Sequence, residues 1–236
     1  MSGLQLVETT WNDLWIHMYK KVQEDLVCDV PCHLYDPKKR ILLLQIPKNG
    51  STYMVSKLSG MRNLDFPAIY RHEGVGSWIK KLGAEKWNLT DTWAIIRNPY
   101  DRLISYYAHQ IQHEEIPMDW TFDQFLRKAI ADDNPHIWQH RHICDKRGRI
   151  LVKHVVKYEK GLDEIVKTFD NLGIDVFRGE TDKTNMNMID FDLSEVAGML
   201  TPEVIALIRK EFYVEFKIFE YSDDPVDYML ELSKKK

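Results

Sequence analysis

Apolar residues follow two rhythms along the chain: short unbroken runs, and longer stretches in which they return every three or four positions. Ile41-Leu42-Leu43-Leu44 is of the first kind and predicts a strand buried on both faces, as in a parallel sheet. Trp93-Ala94-Ile95-Ile96 predicts a second such strand, and Ala68-Ile69-Tyr70 and the β-rich Leu151-Val152-Lys153-His154-Val155-Val156 predict two more. Between them the helical rhythm takes over. Trp11, Trp15, Met18 and Val22 mark an amphipathic first helix, and Met54, Val55 and Leu58 mark a second that stops at Gly60. Asn98 is placed to cap a helix that has Pro99 at its first position, Asp101 in its first turn and Leu103, Ile104 and Tyr107 on its buried face. Further helices are predicted from Phe122, Phe125, Leu126 and Ile130, and from Leu162, Ile165, Val166, Phe169 and Leu172 ending at Gly173. A late helix opens at Thr201-Pro202-Glu203 and carries Val204, Ile205, Ile208 and Phe212. Apolar strands alternating with amphipathic helices predict an α/β fold with a mainly parallel sheet flanked by helices. Strand order does not follow from the pattern.

Length and composition narrow this further. The 236 residues suit a single domain spanning 1–236, with a core over about 40–222 and a helical extension over 1–39. Apolar residues make up 44% and charged ones 29%, and the net charge of −4 argues for neither nucleic acid nor an acidic membrane surface as a partner, so any phosphate site must be local. The first residues lack a basic segment followed by an apolar core, and no apolar run is long enough to span a bilayer. Three cysteines, Cys28, Cys32 and Cys144, do not make a disulfide framework. Asn49-Gly50-Ser51 is a glycosylation acceptor sequence inside the loop discussed next; a glycan there would block it, so a cytoplasmic location is expected.

The candidate chemistry sits after the two best strands. The first runs into Pro47-Lys48-Asn49-Gly50-Ser51-Thr52 and then a helix. Unpaired N–H groups and the dipole at a helix start favour an anion, and Gly50 allows close backbone approach. Ser51 and Thr52 add hydroxyls, and Lys48 adds a compact charge. A Walker A loop places its lysine after the last glycine, directly before Ser/Thr; here it precedes the glycine. The second strand runs into Ile96-Arg97-Asn98-Pro99-Tyr100-Asp101-Arg102-Leu103-Ile104-Ser105-Tyr106-Tyr107. Arg97 offers the planar fork that suits phosphate, and Ser105 lies further along the following helix. Each motif alone is also compatible with a polar turn or a surface ion-pair cluster.

Taken together, PKNGST at 47–52 and RNPYDRLISYY at 97–107 resemble the sulfotransferases that use 3′-phosphoadenosine 5′-phosphosulfate (PAPS), in their carbohydrate (family 2-like) branch. That family carries a 5′-phosphosulfate loop of the form P-K-x-G-S/T-T/S and, later, a 3′-phosphate motif of the form R-N/D-P-x-x-R-x-x-S-x-Y. His136-Ile137-Trp138-Gln139, Tyr158-Glu159, Asn185, Leu200-Thr201-Pro202-Glu203 and the aromatic stretch from Phe212 to Tyr221 resemble it too, so the likeness covers about residues 40–222. It implies that Lys48, Asn49, Gly50, Ser51 and Thr52 hold the phosphosulfate end and that Arg97 and Ser105 hold the 3′-phosphate. It implies adenosine 3′,5′-bisphosphate as product, no catalytic metal, and an acceptor hydroxyl of carbohydrate type. The absence of the anchor and stem of animal members makes the chain look more like bacterial or viral relatives, and Ala108-His109 stand where a basic residue often follows the serine motif.

A base must take the acceptor's proton, and His72 is the expected one: it is the single histidine between the two motifs and follows Ala68-Ile69-Tyr70 toward the same sheet edge. Glu73 is its competitor. His136, His140, His142 and Cys144, and the i, i+4 pair His109 and His113, offer metal-ligand chemistry without a matching second half, and are expected to be structural or solvated. Most tryptophans, Trp78, Trp87 and Trp120 among them, are expected in the core, with Trp138 a candidate for an acceptor cleft and Lys183-Thr184-Asn185 for a loop reaching the nucleotide. Two rival readings stand beside sulfuryl transfer: a kinase-like phosphoryl transferase, which requires Mg²⁺ and ATP, and a silent protein that binds the nucleotide without turnover.

Overall fold

The computed structural model describes residues 34–61, 72–179 and 191–234. Four strands make one sheet in the order β1 (Leu34–Asp36), β2 (Ile41–Leu44), β3 (Asp91–Ile96) and β4 (His154–Lys157). Strand β1 pairs antiparallel with β2 at the edge, and β2, β3 and β4 run parallel, with Leu44 opposite Ala94 and Ile96 opposite Lys157. The mainly parallel sheet and its flanking helices are as predicted. The edge strand is not: Leu34–Asp36, within the stretch 1–39 expected as a helical extension, form β1. The predicted first helix and the strand Ala68-Ile69-Tyr70 lie outside the described residues.

Both faces of the sheet are covered, which is why its central strands read as unbroken apolar runs. Leu42, Leu44, Ala94 and Ile96 face Val75, Trp78, Leu82 and Trp87 of helix α2 (Val75–Leu89). Ile41, Leu43 and Ile95 face the opposite way, onto Met54 and Val55 of α1 (Ser51–Lys57) and Ile165, Val166 and Phe169 of α6 (Leu162–Asn171). A third cluster is purely helical. It joins α3 (Pro99–Gln112), α4 (Phe122–Ala131), α7 (Leu193–Met199), α8 (Pro202–Glu211), α9 (Tyr213–Ile218) and α10 (Pro225–Ser233). The short α5 (His140–Ile143) connects the helical cluster to β4.

Local chemistry explains most boundaries. Asn98 caps α3 by accepting from the Tyr100 N–H at 3.0 Å, with Pro99 at the first position. Thr201 caps α8 ahead of Pro202, and Gly173 follows α6 with φ 75°. Strand β4 starts later than the pattern predicts. The Leu151 N–H donates to the Ile143 carbonyl at 2.8 Å and Ile150 bridges back to Cys144, so that stretch pairs away from the sheet. Helix α2, not among the helices predicted above, carries Val75, Trp78, Ile79 and Leu82 at helical spacing, and Gly83 kinks it at φ 75°.

Candidate nucleotide site at the carboxyl edge of the sheet

The three parallel strands end side by side, and each delivers a segment to the same edge, where ligands bind in open α/β sheets. Strand β2 delivers Gln45 to Thr52, β3 delivers Arg97 to Asn98, and β4 delivers Tyr158 and Glu159.

The loop after β2 is a tight turn in which the Asn49 N–H donates to the Ile46 carbonyl at 3.3 Å. Two of its residues have left-handed backbone, Lys48 at φ 66° and Gly50 at φ 78°. The conformation is natural for glycine and strained for lysine, at a cost of about 1–3 kcal/mol that the surroundings must offset. Part of the offset is visible. The Lys48 carbonyl accepts from Arg97 Nη1 at 2.9 Å, so the strained residue is pinned by the second motif. Gly50 is required on a second count, because a Cβ there would lie 2.7 Å and 2.8 Å from the Leu162 methyls and 3.2 Å from Tyr158. Gly50→Ala should therefore lower stability by about 1–2 kcal/mol, read as a lower urea midpoint at unchanged slope; an unshifted midpoint would show that the loop relaxes without cost. Ser51 and Thr52 open α1, and Tyr53 of that helix donates its hydroxyl to Asp163 of α6, fixing the helix on the sheet.

Arg97 is the hub of the edge. Nε donates to Asp101 Oδ2 at 2.8 Å, Nη1 reaches Lys48, and the guanidinium lies over the Tyr158 ring at 4.5 Å from its centroid. Burial alone would pull its pKa down, but Asp101 outweighs this and the group is held above its ordinary value, charged at any working pH. Asp101, Ser105 and His109 follow one another at i, i+4 along α3 and so share a face of that helix, and His113, its C-cap, continues the row. His109 is pulled down to about 4 by burial first, then by the Lys48 charge and by His113. At neutral pH it is an uncharged imidazole on the Lys48 side of the edge. Neither its place beside Lys48 nor the row itself was foreseen from the sequence.

His72 lies at the same edge. Its Nδ1 is 2.9 Å from the Gln45 carbonyl, which can only accept, so Nδ1 carries the proton and Nε2 is the basic nitrogen. Its ring is 6.1 Å from that of His136, edge to face. The competing Glu73 pairs with Lys81 of α2, and its side chain is only 8% exposed. His142 is buried and pulled down to about 3 by burial, then by Arg102, His72 and His136. Among the described residues, no group of three or more His, Cys, Asp or Glu side chains is arranged to hold a metal. Trp138 is a core residue rather than a cleft wall, stacked on Phe212 at 4.5 Å. Trp78 and Trp87 are in the core as expected, and Lys183-Thr184-Asn185 lies outside the described residues.

Three residues at this edge were quoted in the sequence without a role, or were not singled out. Glu159 accepts from the Asn98 N–H at 2.8 Å and from the Tyr221 hydroxyl at 2.7 Å, tying β4 and the C-terminal aromatic stretch to the start of α3. Arg102 is 1% exposed and donates through Nη1 to the Ile137 carbonyl at 2.8 Å and through Nη2 to the His136 carbonyl. Burial pulls its pKa down to about 10 despite Glu215 nearby. Gln139 is wholly buried between the two motifs. The signal for each was its place in a family motif; none stands out by residue type.

A model of the sulfotransferase family matches residues 33–222, most of the chain. The chain belongs to the sulfotransferase family. The match begins beside β1 and takes in all four strands, both motifs and the helices up to α9, so the edge just described lies wholly within the family's own domain. No curated protein and no solved structure matches the chain significantly. Among the described residues no helix is long and apolar enough to cross a membrane.

Proposed function

We propose that this sulfotransferase takes its sulfuryl group from PAPS and passes it to an acceptor hydroxyl of carbohydrate type, releasing adenosine 3′,5′-bisphosphate. The observation that carries the reading is the bond from the Arg97 guanidinium to the Lys48 carbonyl, which joins the two phosphate motifs into one surface at the sheet edge. Arg97 has five N–H groups, two of them used by Asp101 and Lys48, which leaves a charged fork with donors for a 3′-phosphate. Ser105, on the Asp101 face of α3, adds a hydroxyl to the same end. The loop that runs through left-handed Gly50 into the start of α1 at Ser51 supports binding of a 5′-phosphosulfate by backbone N–H groups there.

In the reaction the acceptor oxygen attacks sulfur in line while the bond from sulfur to the bridging oxygen breaks, and the electron pair leaves on the 5′-phosphate. Lys48 stabilises that leaving oxygen, and His72 Nε2 takes the acceptor's proton. The cytoplasm is the compartment we propose, since the glycosylation sequence Asn49-Gly50-Ser51 lies in the loop itself. The reading is tested by incubating the protein with labelled PAPS and a panel of glycans, phenols, lipids and peptides; labelled glycan is the expected product.

The donor is tested separately by melting. Only a ligand that binds the folded state raises the melting temperature, by an amount set by its concentration over Kd. Adenosine 3′,5′-bisphosphate should raise it well beyond AMP or ATP at equal concentration. In Arg97→Ala, referred to that variant's own ligand-free melting point, most of the preference should vanish. Equal shifts with ATP and the bisphosphate in the wild type would rule out the donor and favour a kinase-like reading.

A further inference from the structure

The segment from His136 to His140 is held with unusual expense. Arg102, almost wholly buried, donates to the carbonyls of His136 and Ile137. Glu215, wholly buried, accepts from the His140 N–H at 3.0 Å and from His140 Nδ1 at 2.9 Å. An arginine and a glutamate are costly to bury unless they are well paired, and here both are used on one short stretch of chain. At its centre is Gln139, wholly buried, whose side-chain amide reaches both phosphate motifs at once. Its Oε1 accepts from Asn49 Nδ2 at 3.2 Å and from the Arg97 N–H at 3.1 Å, and its Nε2 donates to the Arg97 carbonyl at 2.8 Å. Asn49, itself buried, also donates to the Ile95 carbonyl at 2.7 Å, so the amide bridges the loop after β2 to the end of β3.

We propose that Gln139 is a positioning residue that sets the distance between the 5′- and 3′-phosphate halves of the donor site. Buried away from ligand, it acts through Asn49 and Arg97. Both backbone groups of Arg97 are fixed by one planar amide, which dictates where the guanidinium starts, while the same oxygen holds the residue next to strained Lys48. A ligand with two phosphates gains from both ends only when their separation is preset; each end then raises the effective concentration of the other. The inference rests on the donor reading above and goes beyond it, since it concerns the coupling of the two ends rather than their occupancy.

The test compares adenosine, AMP, adenosine 3′-phosphate and adenosine 3′,5′-bisphosphate by calorimetry in the wild type and in Gln139→Met, which keeps the side-chain length but removes the amide. The gain of the bisphosphate over what its two monophosphates predict should fall about tenfold, while each monophosphate changes far less. A folded Gln139→Met with the full gain overturns the proposal. Should that variant fail to fold, the wild type decides: hydrogen exchange at the Gln139 side-chain amide should slow when AMP binds and again when adenosine 3′-phosphate binds. Unchanged exchange with either one overturns the proposal. If the bisphosphate fails to bind even the wild type, the donor reading falls first and takes this inference with it, a result distinct from binding without coupling.

Discussion

Lys48→Met is expected to lower turnover with PAPS by about 10²–10³-fold, the usual loss when one electrostatic contact to a developing oxyanion is removed. Methionine keeps much of the apolar stem and leaves the loop's backbone bonds in place, including the one its carbonyl accepts from Arg97. The φ of 66° is no harder for methionine than for lysine, so fold stability should change little. Bisphosphate affinity should fall much less than turnover, because the product carries no breaking bond and the loop N–H groups remain. A loss confined to KM would instead make Lys48 a uniform binder of ground state and transition state alike. His109 supplies an independent check. Its imidazole is pulled down to about 4 by burial first and by Lys48 next, so removing the ammonium should move its titration upward. Followed by NMR, an unmoved His109 together with near-normal turnover would make Lys48 a mere turn residue.

The part of this site legible in the sequence is the part written in adjacent residues. Ile41–Leu44 and Trp93–Ile96 read as strands because both faces of the sheet are covered, so no polar residue interrupts them. Asn98 and Pro99 announce α3 because cap chemistry is local to one turn. What failed is equally physical. Strand β1 is three residues long and gains its identity only by pairing Leu34 with Leu43, so its own composition carries no signal. Helix α2 went unpredicted although Val75, Trp78, Ile79 and Leu82 recur at helical spacing; Gly76 and Gly83, poor helix formers, break up its sequence, and packing on the sheet secures it. Lys48 and Arg97 were legible as motif members, but their contact was not, since nothing in either motif encodes a guanidinium reaching the other motif's carbonyl. Gln139 and Glu159 are the extreme case. Each is an ordinary polar residue whose role is a bond to a distant backbone group, visible only once the strands have brought their ends together.

His72→Ala is expected to lose turnover by about 10²-fold or more with bisphosphate affinity kept, and Glu73→Gln to keep most of its turnover. The acceptor hydroxyl must lose its proton as it attacks sulfur, and the base must present a lone pair. The Gln45 carbonyl accepts from Nδ1 at 2.9 Å, which leaves Nε2 as the basic nitrogen and fixes the plane of the ring. That carbonyl belongs to the segment leading from β2 into the loop at Lys48, so the ring is tied directly to the approach of that loop. Glu73 is otherwise engaged. Its carboxylate pairs with Lys81 in a largely buried setting, so it would have to leave that partner to meet the acceptor. Replacing it by glutamine leaves the Lys81 charge without its partner, so the expected cost appears in stability rather than in turnover. The two variants should thus separate cleanly: one folded and slow, the other less stable and active at temperatures where it remains folded. A full-rate His72→Ala enzyme would remove the imidazole from the mechanism. A folded but inactive Glu73→Gln would pass the proton to the carboxylate and mean that its pair with Lys81 opens when the acceptor binds.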